Sequence, residues 1–190
     1  SSGFSDFFEQ FFGGTRSSAH AAFRGEDYHA ELHMTLTDAY TTRKEVLQVN
    51  GKNVRITIPA GVEDGQVIKL KGYGGPGING GPAGDLYITF IINNNTSFQR
   101  VGNDLHTTMD LPLYTAVLGG EITIETLSGK IKLKIAPETQ NGAKVRVKGK
   151  GFPVYKKGDL FGDLFVTWNV RIPTGLTEEE KKLFRQLANK

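Results

Sequence analysis

The stretch "VRITIPAGVEDGQVIKLKGYG" at residues 54–74 has a counterpart in "IKLKIAPETQNGAKVRVKGKG" at residues 131–151, 77 positions later. The same offset aligns "GEDYHAELHMTL" with "GNDLHTTMDLPL", which begin at Gly25 and Gly102. The sequence "GDLYITF" from Gly84 likewise aligns with "GDLFVTW" from Gly162, at an offset of 78. The chain therefore contains two copies of one domain.

Both copies have the residue pattern of β-strands. In the first copy Val54, Ile56 and Ile58 alternate with the polar Arg55 and Thr57, and the second copy repeats this alternation in "IKLKI". Alternation with a period of two is typical of a strand that buries one face. Short strands separated by glycine-rich turns predict a mainly β fold. We predict two tandem small β-sandwich or barrel-like domains followed by a short C-terminal helix.

The repeat and the change in composition at each end predict four segments. The first β domain is expected at residues 23–97 and the second at residues 98–175. Residues 1–22 precede the repeat, and residues 176–190 follow it. Within the two domains, the sequences "LTDAYTT" and "LYTAVLGG" each favour one short helical turn.

Composition excludes several classes of protein. With 190 residues, 38% hydrophobic and 23% charged, the chain has ordinary globular composition, and its net charge of +3 does not identify a partner. It contains no cysteine, which removes disulfides, thiolate catalysis and cysteine-ligated zinc. No apolar run reaches the roughly 18 residues of a membrane span. We expect a cytoplasmic protein without a membrane partner.

The stretch "FSDFFEQFFGG" at residues 4–14 places five phenylalanines at the spacing of one helix face. A helix of this length is only marginally stable in water without a neighbour on which to pack. The segment therefore implies a partner surface, and the diglycine that follows allows it to change direction.

The C-terminal residues predict an amphipathic helix. Thr177 is the expected N-cap, and Glu180, three residues later, would complete a capping box. Leu183, Phe184 and Leu187 supply an apolar face. Such a short helix needs a surface to pack on, which can belong to its own domain or to a second chain.

Several residues match motifs for cofactor binding, metal binding or catalysis, but in each case a structural role explains them better. The sequence "GYGGPG" at residues 72–77 fits a dinucleotide-binding pattern, but a loop rich in glycine follows it instead of a helix. His29 and His106 occupy matching repeat positions without other metal-ligating residues at suitable spacing, which favours surface strands over a metal site. Asp85 and Asp163 also match, and each is expected to end a glycine loop. We predict a binding protein without cofactor or metal, and not an enzyme.

The strands of the second copy are basic. Residues 130–157 contain nine Lys or Arg and a single acid, Glu138. These cations can contact nucleic-acid phosphates, or they can form the solvated outer face of a sheet. The candidate DNA-binding residues are Lys132, Lys134, Arg146 and Lys148.

The first copy offers a different surface. Ala30, Leu32 and Met34 alternate along one predicted strand, and Leu47 and Val49 along the next. Residues of this kind usually belong to a core. A first strand at a sheet edge can, however, accept an extended peptide by strand addition.

Taken together, the Phe-rich segment ending "FFGG", the doubled β domain and the capped helix closely resemble the C-terminal part of DnaJ-type co-chaperones. The first copy carries the long pattern "IPAG...GQ...LKG.G.PG..GGP.GDL", and the match covers essentially the whole chain. Because it contains no cysteine, the chain resembles the class of these co-chaperones that lacks a zinc finger. Within that class it is most similar to the bacterial curved-DNA-binding members. The family's J domain, with its His-Pro-Asp motif, is absent, because proline follows none of the four histidines.

The resemblance implies a function for each segment. Residues 1–22 would end a Gly/Phe-rich linker, and the C-terminal helix would dimerise two chains through Leu183, Phe184 and Leu187. The first β domain would bind unfolded polypeptides in a shallow apolar groove between its first two strands and deliver them to a DnaK-type ATPase. By motif position the groove residues are Ala30, Leu32, Met34, Leu47, Val49 and Ile88. DNA binding by a nucleoid protein is the alternative function.

Overall fold

A computed structural model describes residues 21–190 of the chain. The predicted linker, residues 1–22, lies outside the described residues except for Ala21 and Ala22. The first copy contains β1 (Tyr28–Thr35), α1 (Leu36–Ala39), β2 (Arg43–Val49), β3 (Lys52–Ile58), β4 (Val67–Leu70) and β5 (Leu86–Asn93). The second contains β6 (Gln99–Val101), β7 (Asp104–Pro112), α2 (Leu113–Leu118), β8 (Gly120–Thr126), β9 (Gly129–Ile135), β10 (Lys144–Val147) and β11 (Leu164–Arg171), and α3 (Glu178–Ala188) follows.

The order of elements confirms the internal repeat. From β1 to β5 the first copy has the same succession of strands and one short helix as the second copy from β7 to β11. Both short helical segments lie where the sequence predicts them, in α1 and α2. The mainly β fold with a short C-terminal helix is therefore confirmed.

The strands form four open sheets within the described residues, and none of these sheets closes into a barrel. Their strand orders are β1-β5-β4, β10-β11-β7-β6, β2-β3 and β8-β9. The long strands β11 and β7 pair in parallel, with Leu164 opposite Leu105 and Trp168 opposite Met109. The two-stranded sheets are antiparallel hairpins, in which adjacent strands are joined by tight turns.

The chain divides into two compact units. One comprises the described residues up to Leu32 together with Gln66–Thr89, and the other comprises His33–Gly65 and Phe90–Lys190. This division runs through the first copy of the repeat. The domain boundary that the repeat places near residue 97 stays a prediction.

Alternate residues of the long strands form the core, as the period of two predicts. Leu164, Val166 and Trp168 of β11 are almost completely buried, with exposed fractions of 1% or less. On β3 the buried residues are Val54, Ile56 and Ile58, which the sequence identifies as its apolar face.

An aspartate closes the glycine loop before the last strand of the first copy. The backbone N–H of Asp85 donates to Asp27, and the Asp85 carboxylate accepts a 2.8 Å hydrogen bond from the N–H of Gly72. Arg24 and Lys69 both lie 3.0 Å from the other carboxylate oxygen. Asp85 is only 6% exposed, so these partners compensate for the loss of water.

The second copy builds the same cluster from its matching residues. The N–H of Asp163 donates to Asp104 at 2.7 Å, and the N–H of Gly149 donates to the Asp163 carboxylate at 2.9 Å. Arg146 supplies the cation, 2.6 Å from Asp163. The interpretation of both aspartates as residues that end the glycine loops is therefore confirmed.

The glycine loop itself is a packing element. No helix follows Gly72, and a Cβ atom at Gly84 would collide with the backbone carbonyl of Glu26. The glycines thus allow two backbone segments to approach closely.

The capping of the C-terminal helix differs in one detail from the prediction. Thr177 is the N-cap, and its hydroxyl accepts a 3.2 Å hydrogen bond from the N–H of Glu180. The Glu180 carboxylate accepts from the Thr177 hydroxyl at 3.0 Å instead of from the Thr177 backbone. The prediction of a reciprocal capping box is wrong here, because this carboxylate bonds to the side chain of the cap.

The two aspartate clusters predict a loss of stability in acid. Hydrogen bonds from Gly72 and Gly149 and the neighbouring cations hold the pKa of Asp85 and Asp163 below the ordinary 3.8. A carboxyl with a lowered folded-state pKa stabilises the fold at neutral pH, and this stabilisation is lost as the pH falls through that pKa. Urea unfolding of Asp85→Asn and Asp163→Asn should show lower midpoints at neutral pH and a weaker decline below about pH 4.

Asp159→Asn is the control, because Asp159 is exposed. Identical pH dependence of the wild type, Asp85→Asn and Asp163→Asn would contradict a stabilising role for the two carboxylates.

Candidate functional site

Strand β1 presents an incompletely buried apolar row at a sheet edge. Ala30 and Leu32 are half-buried, while Met34 on the same face is only 7% exposed. His29, which precedes Ala30, is exposed on the opposite face. β1 is the terminal strand of the sheet β1-β5-β4, so one of its edges has no strand partner among the described residues.

Strand β2 has a comparable row in its own two-stranded sheet. Leu47 and Val49 are half-buried, and Leu47 lies opposite the buried Val54 of β3. Val46 points to the other face and is 54% exposed. Within the described part of the chain β2 pairs only with β3, which leaves its outer backbone edge open.

Burial separates the six predicted groove residues into two groups. Ile88 lies on β5 opposite Ile68 and has no exposed surface, and Met34 has little. The residues with exposed apolar surface are Ala30, Leu32, Leu47 and Val49. Their role in binding a polypeptide stays a prediction.

The C-terminal helix α3 carries an exposed apolar face. Leu183 and Leu187 are 56% and 63% exposed, values that are high for leucine in a folded protein. Phe184 is half-buried because its ring stacks on Tyr114 of α2, with 6.4 Å between the ring centres.

Helix α2 contributes the other wall of an apolar groove beside α3. Val117 and Leu118 of α2 are 50% and 74% exposed. The groove has a volume of about 290 Å³ and is lined by Leu113, Tyr114, Val117, Leu118, Glu180, Leu183, Phe184 and Leu187. Residues of α2 were not predicted from the sequence to belong to this surface. Tyr114, Val117 and Leu118 nevertheless have the i, i+3 and i+4 spacing of one helix face, which could have indicated it.

Acidic residues accompany the basic strands of the second copy. In the β8-β9 hairpin Lys134 lies opposite Glu121, while Lys132 lies opposite Thr123. Arg146 pairs with Asp163 and closes the glycine loop. Of the four candidate DNA-binding cations, two therefore have a carboxylate directly opposite or bonded, which reduces the charge available to phosphates.

The two repeat-matched histidines lie on strand surfaces. His29 stacks on Tyr87 with ring centres 5.3 Å apart, and His106 stacks on Phe165 at 5.0 Å. Residues 21–190 contain no group of three or more His, Cys, Asp or Glu that could hold a metal ion. Nor does this part of the chain contain a helix long and apolar enough to cross a membrane.

Comparison with known proteins identifies relatives whose sequences match most of this chain. Chaperone protein DnaJ of Caldicellulosiruptor saccharolyticus is 49% identical over 135 residues, which cover 71% of this chain and 35% of that protein. Chaperone protein DnaJ of Neisseria meningitidis is 47% identical over 135 residues, covering 71% of this chain and 36% of the relative. Chaperone protein DnaJ 2 of Thermus thermophilus is 39% identical over 193 residues, covering 97% of this chain and 65% of the relative.

The chain thus spans between about a third and just under two thirds of the length of these relatives. The family model described as DnaJ C terminal domain matches residues 28–173, from the start of β1 to just beyond β11. The chain belongs to the DnaJ C-terminal domain family.

Proposed function

We propose that this chain is the polypeptide-binding part of a co-chaperone and captures non-native proteins through the edges of β1 and β2. The observation that carries the proposal is the open edge of each strand beside half-exposed apolar side chains, in a chain of the DnaJ family. Folded clients have few extended segments with exposed apolar residues, whereas non-native chains have many.

Backbone and side chains have separate roles in this binding. The unpaired N–H and C=O groups of an edge strand can bond to any extended segment, regardless of its sequence. The apolar row selects for large apolar residues, because each fully buried Leu or Phe contributes about 1.5 to 3 kcal/mol. Ordering a flexible client costs much of this energy, so a single edge should bind weakly and release readily.

We further propose that the groove between α2 and α3 is the dimerisation surface and that a second copy of this chain covers it. Seven of its eight lining residues are apolar or aromatic, a composition suited to a permanent partner rather than to solvent. Two chains joined in this way present two sets of binding edges, and the second contact with a long client gains from effective concentration.

The whole protein would transfer its clients to a DnaK-type ATPase in the cytoplasm. The proposal follows from the relatives, which are chaperone proteins of the DnaJ type. The residues described here would supply binding and dimerisation, and not catalysis. Stimulation of the ATPase would require a J domain, whose His-Pro-Asp motif this sequence does not contain.

The apolar row of β2 predicts a specific loss of client binding. Val49→Asp should weaken binding of a labelled unfolded polypeptide about tenfold, because a buried charge replaces apolar contact worth roughly 1.5 kcal/mol. Leu32→Asp should have the same effect at β1. Fluorescence anisotropy measures the affinity, and thermal unfolding measures the fold.

Val46→Asp is a matched control, since Val46 lies on the same strand but faces the other way. If Val49→Asp and Val46→Asp reduce binding equally, or if binding and thermal stability fall together, the apolar row is not the client site.

The groove beside α3 predicts that charge will separate the dimer. Leu183→Glu with Leu187→Glu should convert dimers into folded monomers, and Leu118→Glu on α2 should do so independently. Sedimentation velocity gives the mass. Leu160→Glu is the control, because Leu160 is equally exposed at 59% but lies in a loop outside the groove. An unchanged mass in both groove variants would contradict dimerisation through this surface.

DNA binding is the alternative function. Added salt distinguishes the two, because it weakens binding to DNA phosphates but not binding through apolar side chains. Since acids accompany two of the candidate cations, we expect duplex DNA to be retained only at low salt. That residual retention should disappear when glutamine replaces Lys132, Lys134, Arg146 and Lys148. A control with glutamine at Lys44, Lys52, Lys71 and Lys182 has the same net charge. Tight retention at physiological salt with a steep salt dependence would favour the DNA function.

A further inference from the structure

Arg100, the central residue of β6, binds backbone groups from both copies of the repeat. Its two terminal nitrogens donate to the carbonyl oxygens of Val62 at 2.6 Å and Gly61 at 2.9 Å, in the loop after β3. Its Nε donates to the carbonyl oxygen of Gly102 at 2.8 Å. The guanidinium carbon lies 3.9 Å from the ring centre of Phe152.

These contacts use the particular geometry of arginine. The planar guanidinium offers several N–H donors in one plane, and its face can stack on an aromatic ring. Phe152 is completely buried, so the stacking contact is shielded from water. Shielded cation–π contacts and charge-assisted hydrogen bonds are stronger than exposed ones. No other residue type reproduces all four contacts.

Further contacts hold the same junction together. The rings of Tyr40, just after α1, and Phe152 pack in a T-shaped arrangement with 5.5 Å between ring centres. The N–H of Gly61 donates to the carbonyl oxygen of Ala39 at 2.9 Å. A Cβ atom at Gly61 would collide with the carbonyl of Pro153, and Gly61 has φ +93°, a conformation that favours glycine. The loop after β3 therefore packs directly against residues 152–155.

The junction connects the open edge of β2 with the dimerisation helix. On one side, β3 pairs along its whole length with β2, which carries Leu47 and Val49. On the other side, β6 pairs with β7, β7 continues into α2, and α2 contacts α3 through Tyr114 and Phe184. All of these elements belong to the same compact unit of the chain.

We propose that Arg100 is a positioning residue that holds the β2-β3 sheet in a fixed orientation relative to α3. In a dimer joined at α3, this orientation sets the distance between the two client-binding edges of β2. Arg100 thereby determines how well a single client can occupy both edges at once. The consequence for clients rests on the proposed function, whereas the fixed orientation does not.

Pulsed electron paramagnetic resonance tests the orientation directly. The chain contains no cysteine, so Gln48→Cys on β2 and Gln186→Cys on α3 can be spin-labelled without background. Both glutamines are exposed. Labelled chains are diluted with excess unlabelled chain, so that each measured distance lies within one protomer. We expect a narrow distance distribution in the parent protein and a clearly broader one in Arg100→Ala.

Two variants serve as checks on that experiment. Gly61→Ala disturbs the junction from the other side and should broaden the distribution as well. Arg171→Ala removes an exposed arginine, whose ion pair with Asp110 is 3.7 Å long, and should leave the distribution narrow. If Arg100→Ala fails to fold, Arg100→Lys replaces it, because lysine keeps the charge but cannot reach all three carbonyls. An unchanged width in the folded Arg100 variant overturns the proposal.

Peptide binding tests the consequence for clients. The probes are a labelled peptide rich in Leu and Phe and a tandem of two such peptides joined by a linker that spans both edges. In the wild type the tandem should bind roughly 100-fold more tightly than the single peptide. Arg100→Ala should reduce this advantage about tenfold while leaving the affinity for the single peptide unchanged.

The two experiments fail in different ways. If Arg100→Ala broadens the distance distribution but no variant or wild type binds either peptide, the proposed function is wrong and the positioning role stands. If Arg100→Ala lowers the affinities for the single and tandem peptides equally, Arg100 does not set the spacing between edges.

Discussion

The structure depends on one hydrogen-bonded carboxylate in each copy, Asp85 in the first and Asp163 in the second. Each accepts a hydrogen bond from a backbone N–H in the turn after one strand, and the residue that follows it begins a strand whose alternate side chains are almost completely buried. Because side chains alternate along a strand, the position of this first residue decides which side chains enter the core. The same residues require cations nearby, so part of the basic character of the chain has a structural origin.

The proposed client binding depends on incomplete burial. A strand in the middle of a sheet satisfies its backbone and hides its apolar face, whereas β1 and β2 each retain an open edge within the described residues. Natural proteins usually protect such edges because they promote aggregation. A protein that binds non-native chains can use them, provided that each edge binds weakly enough to release the client. The half-buried state of Leu32, Leu47 and Val49 is consistent with that requirement.

Dimerisation and internal rigidity would convert weak edges into useful affinity. An apolar groove formed by α2 and α3 lies in the same compact unit as the β2-β3 sheet, and Arg100 bonds to backbone groups on both sides of the junction within that unit. Effective concentration depends on the distance between two sites and on how tightly that distance is held. A half-buried arginine stacked on the buried ring of Phe152 is well suited to hold it, since its hydrogen bonds to Val62 and Gly61 are partly shielded from competing water.

The sequence by itself determined the elements whose signals are local. Alternating residues predicted β3, β4, β9 and β10, the repeat predicted matching elements in both copies, and Thr177 marked the start of α3, because strand faces and helix caps depend on neighbouring residues alone. The tertiary structure alone decided which strands are neighbours, which of the predicted client-binding residues are exposed and which charged side chains form ion pairs. It buried Ile88, paired Arg146 with Asp163, brought α2 beside α3 and placed Arg100 on carbonyls 38 and 39 residues earlier in the chain. These contacts join residues that are distant in sequence, so no local periodicity encodes them and only the packing of the whole chain selects them.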